Sequence, residues 1–334
     1  MGRLIKIVVA LALAWVGVWL VMGFGIRLAL SSWFEDQRTR SWQAEYAQMG
    51  TSGFPWRSVT RIDALALADP GTGVAWSADW LEFESPTAWP GRQDVRFADT
   101  EQVFAYFDQR AGLTAQDMTA RLHLHLGLAL ELERMGLTAG PWKIVEKGKV
   151  QISADTLVLT MEQSEVHPST YAVAFAADRF APGNDLRDFL RATSSLPDRF
   201  ETFTMDMAIR FSRPWDRSAI EVSRPQPEEI KLRLADVKWG AMRIMAAGTL
   251  TVDEQGVPTG VVSVKLENWR EILEMAQMSG ILPPSAADSA EKALNLLAAL
   301  TGARNALDLQ LNFQNGLMAL GPLPLGEAPR LILR

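Results

Sequence analysis

The chain has 334 residues, a net charge of −6, a pI near 5.3, 48% hydrophobic residues and no cysteine. An acidic chain without a basic stripe lacks the clustered Lys and Arg that displace phosphate counterions, which argues against nucleic acid as a partner. The absence of cysteine excludes disulfide frameworks, thiolate metal sites and cysteine nucleophiles, and the length allows about two domain-sized units or one large β-rich unit.

Arg3 and Lys6 precede an uncharged run from Ile7 to Ile26 that includes Trp15 and Trp19. About 20 such residues cross a hydrocarbon core as a helix. Arg27 follows, and Trp33 falls at interfacial depth. Residues 1–34 therefore read as a signal anchor. Positive charge ahead of the span places the N-terminus in the cytoplasm and residues 35–334 outside. The location this implies is the inner membrane, crossed once, with the bulk of the chain periplasmic. A cleaved secretory signal is the competing reading, with Ala29-Leu30-Ser31 as its best site. Glu35 to Met49 is polar with helical character, fitting a stalk or an ordinary surface helix.

Gly53-Phe54-Pro55-Trp56 breaks that helix, and Val59 to Leu67 is in step for a strand. "ADPGTG" is a turn. Val74 to Pro86 is extended, with Trp76 and Trp80 near one face. Leu122, Leu124, Leu126, Leu128, Leu130 and Leu132 keep a period of two, predicting a strand from Thr119 to Leu132, although "LELERM" also fits a helix. Val150 to Met161 and Phe200 to Trp215 alternate as strands. A helix-sized stretch with Asn184 as cap lies between them. Residues 221–228 form a Pro-broken loop. Strands follow to Glu267, among them Val262, Val264 and Leu266 leading out of the "DEQGVPTG" turn. Asn268 is expected to cap a helix ending at Gly280, and a second helix is expected over 286–301. A closing hairpin turns at Asn315-Gly316, where both positions tolerate positive φ.

Chemistry-bearing patterns are sparse. His123 and His125 share a strand face and could offer two metal positions, but spacing indicates no third ligand, His167 beside Glu165 being remote. No G-x-S-x-G elbow is present. "DPGTG" at 69–73 has no following Lys and is a turn rather than a phosphate cradle. No carboxylate pair stands out for glycoside cleavage. The residues point to no catalytic group, cofactor or metal, and to a protein that is not an enzyme.

Three separated pieces carry a resemblance: "GFPWR" (53–57), "GTLTVDEQGVPTGVVSVKLENWREIL" (248–273) and "LQLNFQNGLMALGPLPLGEAP" (309–329). In that order, and over essentially the whole chain, they resemble an alphaproteobacterial family known as domain of unknown function 2125. The resemblance implies no activity, cofactor or catalytic residue. A more distant similarity is to AsmA-like envelope proteins, in which a signal anchor precedes a long curved antiparallel sheet. That similarity implies a role in lipid transport or envelope homeostasis, by analogy of fold.

The expected fold is α+β, mainly β: an N-terminal transmembrane helix, then a curved antiparallel sheet with a few covering helices, with a possible sub-boundary near 215–230. Val262, Val264 and Leu266, with Leu307, Leu309, Leu311 and Phe313, form a candidate apolar sheet face. An antiparallel sheet normally buries such a face under helices or another sheet. Left partly open, it would hold an acyl chain. The expected function is binding or conveying a lipid or other apolar ligand, or supporting envelope assembly. A scaffold for another envelope protein and a carbohydrate-active enzyme are the alternatives.

Overall fold

In the computed structural model, the structure describes residues 2–89, 91–183, 197–271, 273, 291, 292, 294, 295, 298, 305–320 and 323–333. The protein is mainly β, and among the described residues the strands pair antiparallel. The chain divides into two compact units, Met1–Lys149 and Val150–Arg334. Residues 215–230, where a boundary was expected, form a short helix, Ser218–Glu221, and the start of a strand within the second unit.

The first unit opens with one long helix, α1 (Gly2–Thr39), of 38 residues. An 18-residue window within its segment Leu13–Thr39 has a mean hydropathy of 1.8, so the helix is long and apolar enough to cross a membrane. The polar stretch expected to prolong a helix to Met49 does not do so. The helix ends at Thr39, Ser41 takes a positive φ of 69°, and β1 (Gln43–Glu45) and β2 (Gln48–Ser52) follow. Ala44 and Met49 turn inward from these strands and are buried, which an exposed stalk helix would not allow.

Next come β3 (Arg57–Asp69), β4 (Val74–Pro86), β5 (Arg92–Phe97), β6 (Gln102–Tyr106), β7 (Gln109–Ala115), β8 (Thr119–Leu124), β9 (Leu132–Ala139) and β10 (Trp142–Glu146). Strand β3 pairs with β1, β2 and β4, while β4 passes the sheet on to both β5 and β6. Phe34 of α1 sits in the core with Ala44, Met49, Ile62, Leu65, Leu81 and Val95. The last turns of α1 are thus a covering element of this sheet as well as the end of an apolar helix.

Two expectations fail here. Trp76 and Trp80 do not share a face. Ala64, at φ 50°, and Asp79 across from it interrupt the β3–β4 ladder together without shifting its register, so Asp63 still opposes Trp80 and Leu65 opposes Ala78 while the buried positions pass from Ile62 and Leu81 to Leu65 and Ala78. Trp76 packs on the core, whereas Trp80 lies beneath the Arg61 guanidinium at 4.5 Å. A kink at the same point of both strands exchanges their faces while the pairing stays in step. Nor is Thr119–Leu132 a single strand. It is a hairpin of β8 and β9 with a register shift at His123/Leu124, and residues 125–131 form its tip. The leucine alternation continues through the tip, where Leu126, Leu128 and Leu130 are exposed.

The second unit contains β11 (Lys149–Ala154), β12 (Leu157–Gln163), β13 (Thr170–Asp178), β14 (Ala181–Pro182), β15 (Thr202–Phe211), β16 (Pro227–Trp239), β17 (Met242–Val252), β18 (Pro258–Glu267), β19 (Ala306–Gln314), β20 (Leu317–Leu320) and β21 (Leu323–Glu327). Strands β12, β13, β15, β16, β17, β18, β19, β20 and β21 are hydrogen-bonded in that order. The β19–β20 turn is the expected one: Gln314 opposes Leu317, with Asn315 at φ 53° and Gly316 at φ 73°. Two positive φ values in succession match the right-handed twist of the flanking strands.

Trp269, Arg270, Glu271 and Leu273 are helical, as are Glu291, Lys292, Leu294, Asn295 and Ala298. These positions belong to the two helices expected after β18. Asn268, however, does not cap by its side-chain oxygen. It takes φ 56°, and its side-chain amide donates to the Ala241 carbonyl in the β16–β17 turn. The helix expected around Asn184 and the stop at Gly280 lie outside the described residues.

Candidate apolar binding face

The apolar residues of the second unit line up across its strands rather than merely along them. One row reads Met161, Val173, Met207, Leu232, Gly248, Val262, Leu311 and Leu320, each opposite the next. The neighbouring row reads Leu159, Phe175, Met205, Ala235, Ala246, Val264 and Leu309. Strands lie about 4.8 Å apart, so a row of seven strands is about 29 Å wide. The bulge between Leu232 and Ala235 in β16 keeps the face continuous by moving the apolar positions from even to odd numbers.

The opposite face is charged. Arg233 pairs with Asp206, Arg210 with Glu228 and Glu229, and Lys238 with Glu201. Arg243 meets Asp236 through two bonds of 2.8 and 2.9 Å. That fork hydrogen-bonds the Asp236 carboxylate and holds it below its ordinary pKa, against a smaller opposing effect of burial. Asp206 raises the Arg233 guanidinium in the same manner. A face organised by such cross-strand pairs faces water, which leaves the other to take apolar partners.

All seven residues of the candidate face fall on this apolar side of β18 and β19: Leu266 opposes Leu307, Val264 opposes Leu309, Val262 opposes Leu311, and Phe313 opposes Gly260. At one end of the hairpin the face is already occupied. Leu266, Leu307 and Leu309 form a buried cluster with Trp269, Leu273 and Ala298, and Leu294 packs on it. Val262 and Phe313 are buried as well. This end is core.

The middle of the face is different. Val173, Phe175, Met205, Met207 and Leu232 are only half-buried. Between them run Ala235, Ala246 and Gly248, the smallest side chains of the two rows. A Cβ on Gly248 would meet the Val261 carbonyl oxygen at 2.3 Å, so that position stays low. The result is a shallow trough of small residues, walled by methionine and phenylalanine on the β13–β15 side and by valine and leucine on the β18–β19 side. Sequence alternation identified the β18–β19 wall but missed the trough. The signal for it was present in Phe203, Met205, Met207 and Ile209 of β15, but which strands join that face depends on register.

At its two ends this face is closed by aromatic groups. Phe200 packs on Trp239 with ring centroids 4.8 Å apart and on Phe180 at 5.5 Å. At the other end Phe211 packs on Tyr171 and Trp215. The first unit has a separate depression of about 310 Å³, lined by Gln43, Glu45, Ala66, Ala68, Trp76 and Arg110. It is at the small end of ligand-pocket sizes and has a charged margin.

The histidines do not come together. His125 lies in the β8–β9 tip with Nδ1 3.0 Å from Glu133 Oε1, His123 pairs across to Arg92 and Arg134, and His167 belongs to the turn before β13. Among the described residues no three His, Asp or Glu side chains are grouped to hold a metal.

Residues 19–329 match the model of a family described as "Uncharacterized protein conserved in bacteria (DUF2125)". No curated protein matches the chain.

Proposed function

The chain belongs to that bacterial family, and on this premise we propose that it is a membrane-anchored binding protein that holds the alkyl chain of a lipid in the trough of its second unit. The observation that carries this reading is the half-buried strip Ala235, Ala246 and Gly248, apolar throughout and lower than the walls to which Met205 and Met207 belong. Met side chains are flexible and polarizable, and they adapt to an irregular apolar partner. Each CH₂ removed from water there contributes about 0.8 kcal/mol. The trough presents only aliphatic, aromatic and thioether groups, which bind but do not move protons. This supports binding over catalysis.

The anchor is α1. Arg3 and Lys6 ahead of the apolar run support a cytoplasmic N-terminus by the positive-inside tendency. In this reading the rest of the chain is periplasmic, tethered to the inner membrane.

The test is photo-crosslinking with a diazirine-bearing phospholipid on the full chain in membranes, read by peptide mass spectrometry. Label is expected on the β15–β17 peptides and should fall several-fold in Ala246→Phe, which fills the trough. Ala247→Phe, on the charged face, should label normally. Label confined to α1 and the first unit would refute the reading.

A further inference from the structure

The first unit carries a second apolar feature, independent of the trough, where three loops meet at one end of its sheet. Phe54 and Trp56 stand on the β2–β3 connection, Trp89 on the β4–β5 connection, and Leu126 and Leu128 on the β8–β9 tip. Trp56 is 75% exposed, Trp89 60% and Leu128 95%. The loops are tied to one another. Thr87 donates from its backbone N–H to the Trp56 carbonyl and from its hydroxyl to the Pro55 carbonyl, and Leu124 N–H donates to the Gly91 carbonyl at 2.7 Å. Exposed side chains this large, side by side on three loops, form a patch that calls for a partner.

The partner is indicated by α1. The Trp15 indole N–H donates to the Pro55 carbonyl at 3.0 Å, and the Trp19 indole N–H donates to the Arg57 carbonyl at 2.7 Å. Trp19 also packs edge-on against Phe54 at 5.3 Å. The rim therefore lies beside the middle of the apolar run, not beyond its end. Leu11 and Leu13 of the same helix are 66% and 67% exposed, so a bilayer that receives this part of α1 also meets the rim beside it.

The loop is built for that. The Gly53 carbonyl accepts from Arg57 N–H, the Pro55 carbonyl from Trp15 and Thr87, the Trp56 carbonyl from Thr87, and the Arg57 carbonyl from Trp19. Proline brings no N–H to satisfy. Backbone that leaves water must find its partners within the protein. Cations stand close behind the apolar tips: the Arg92 guanidinium lies 5.7 Å over the Trp89 ring, and Arg57 is paired with Glu84 at 3.0 Å. Tryptophan tips with arginine behind them match the acyl–headgroup boundary.

We propose that the loops bearing Phe54, Trp56, Trp89 and Leu128 form a membrane-inserting rim. It buries its side chains roughly 5–10 Å into the leaflet through which α1 emerges, the depth of known interfacial segments. Helix and rim together fix the first unit's orientation on the bilayer.

The chain has no cysteine, so single-cysteine variants of the full protein can be labelled cleanly. Trp56→Cys and Leu128→Cys would carry a nitrobenzoxadiazole label in vesicles of phosphatidylcholine and phosphatidylglycerol containing spin-labelled lipid. Phe107→Cys is the comparison, since Phe107 is 68% exposed and equally apolar but sits at the β6–β7 tip beside the β3–β4 turn, at the opposite end of the sheet. Blue-shifted emission at 56 and 128, quenched at least three-fold more than at 107, is the expected result. Equal quenching at all three positions, or quenching at 107 alone, overturns the rim. So does dimer formation through a disulfide at 128 without lipid quenching, because a second copy would then be the cover. The trough is untouched by these variants, so either proposal can fail alone.

Discussion

The indole N–H of Trp15 donates to the carbonyl oxygen of Pro55 across 40 residues of sequence. Trp15 lies inside the most apolar stretch of the chain, and Pro55 lies in the loop that ends β2. The hydrogen bond ties the apolar helix to the sheet, so that α1 acts as a structural element of the first unit and not as a tether alone. Residues 16, 19, 23, 26, 30, 34 and 37 of α1 are half-buried or buried while Leu13, Val21, Phe24 and Leu28 are exposed. Spacing of three and four residues is one face of a helix.

Gly23 is where helix and sheet approach most closely among the glycines of α1. A Cβ there would sit 3.2 Å from Thr51 Cγ2 and 3.6 Å from Ser58 Oγ. Gly23→Leu should therefore separate helix and sheet, at a cost of about 1–3 kcal/mol for overpacking. Hydrogen exchange of full-length protein in detergent should show faster exchange in β2 and at the start of β3. Gly25→Leu, with open space around it, should leave both unchanged.

Replacing both indoles, Trp15→Phe with Trp19→Phe, keeps the apolar volume but removes two donors. Each lost bond should cost about 0.5–1.5 kcal/mol. Limited proteolysis within residues 53–57 is expected to accelerate, with the second unit's cleavage pattern unaltered.

The cluster under β18 and β19 should respond like any core. Leu309→Ala is expected to lower stability by about 2–5 kcal/mol, and Trp269→Ala by about 3–5 kcal/mol. Asp308→Ala, one residue away on the wet face, should stay within about 0.5 kcal/mol of the parent. Urea midpoints measured on the three variants decide the matter, and equal effects at 308 and 309 would contradict the assigned faces.

The Asp236–Arg243 pair sets a pH dependence. Its carboxylate is held below the ordinary value of 3.8, so its contribution to stability is present above that value. The contribution is lost as pH falls through the lower, folded-state value. Asp236→Asn should thus unfold at lower urea than the parent at neutral pH, and the two midpoints should converge in strong acid. A gap that widens on acidification would reverse the assigned sign.

Much of the second unit was legible in its sequence because each β-strand shows its two faces in the order of its residues. Val262, Val264 and Leu266 against Ser263, Lys265 and Glu267 could hardly be read otherwise, and Asn315-Gly316 marked its own turn. The same rule failed at Ala64, where a kink exchanges the faces of β3 and β4 with the register unbroken, and at His123/Leu124, where the register shifts by one residue. It failed also from Leu126 to Leu130, where alternation persists through a loop that has no second face to bury.

By itself, the sequence determined the apolar helix near the N-terminus, the antiparallel β character and the dry side of the last hairpin, because hydrophobic spacing is a local property. The tertiary structure decided which dry residues became neighbours. Register set Met207 opposite Leu232 and Leu232 opposite Gly248, and so made a trough from residues spread over three strands. Folding also brought the loop at Pro55 to the side of Trp15. Neither relationship is encoded at short range, since each depends on pairings between strands, or between helix and sheet, that form only when the whole unit closes.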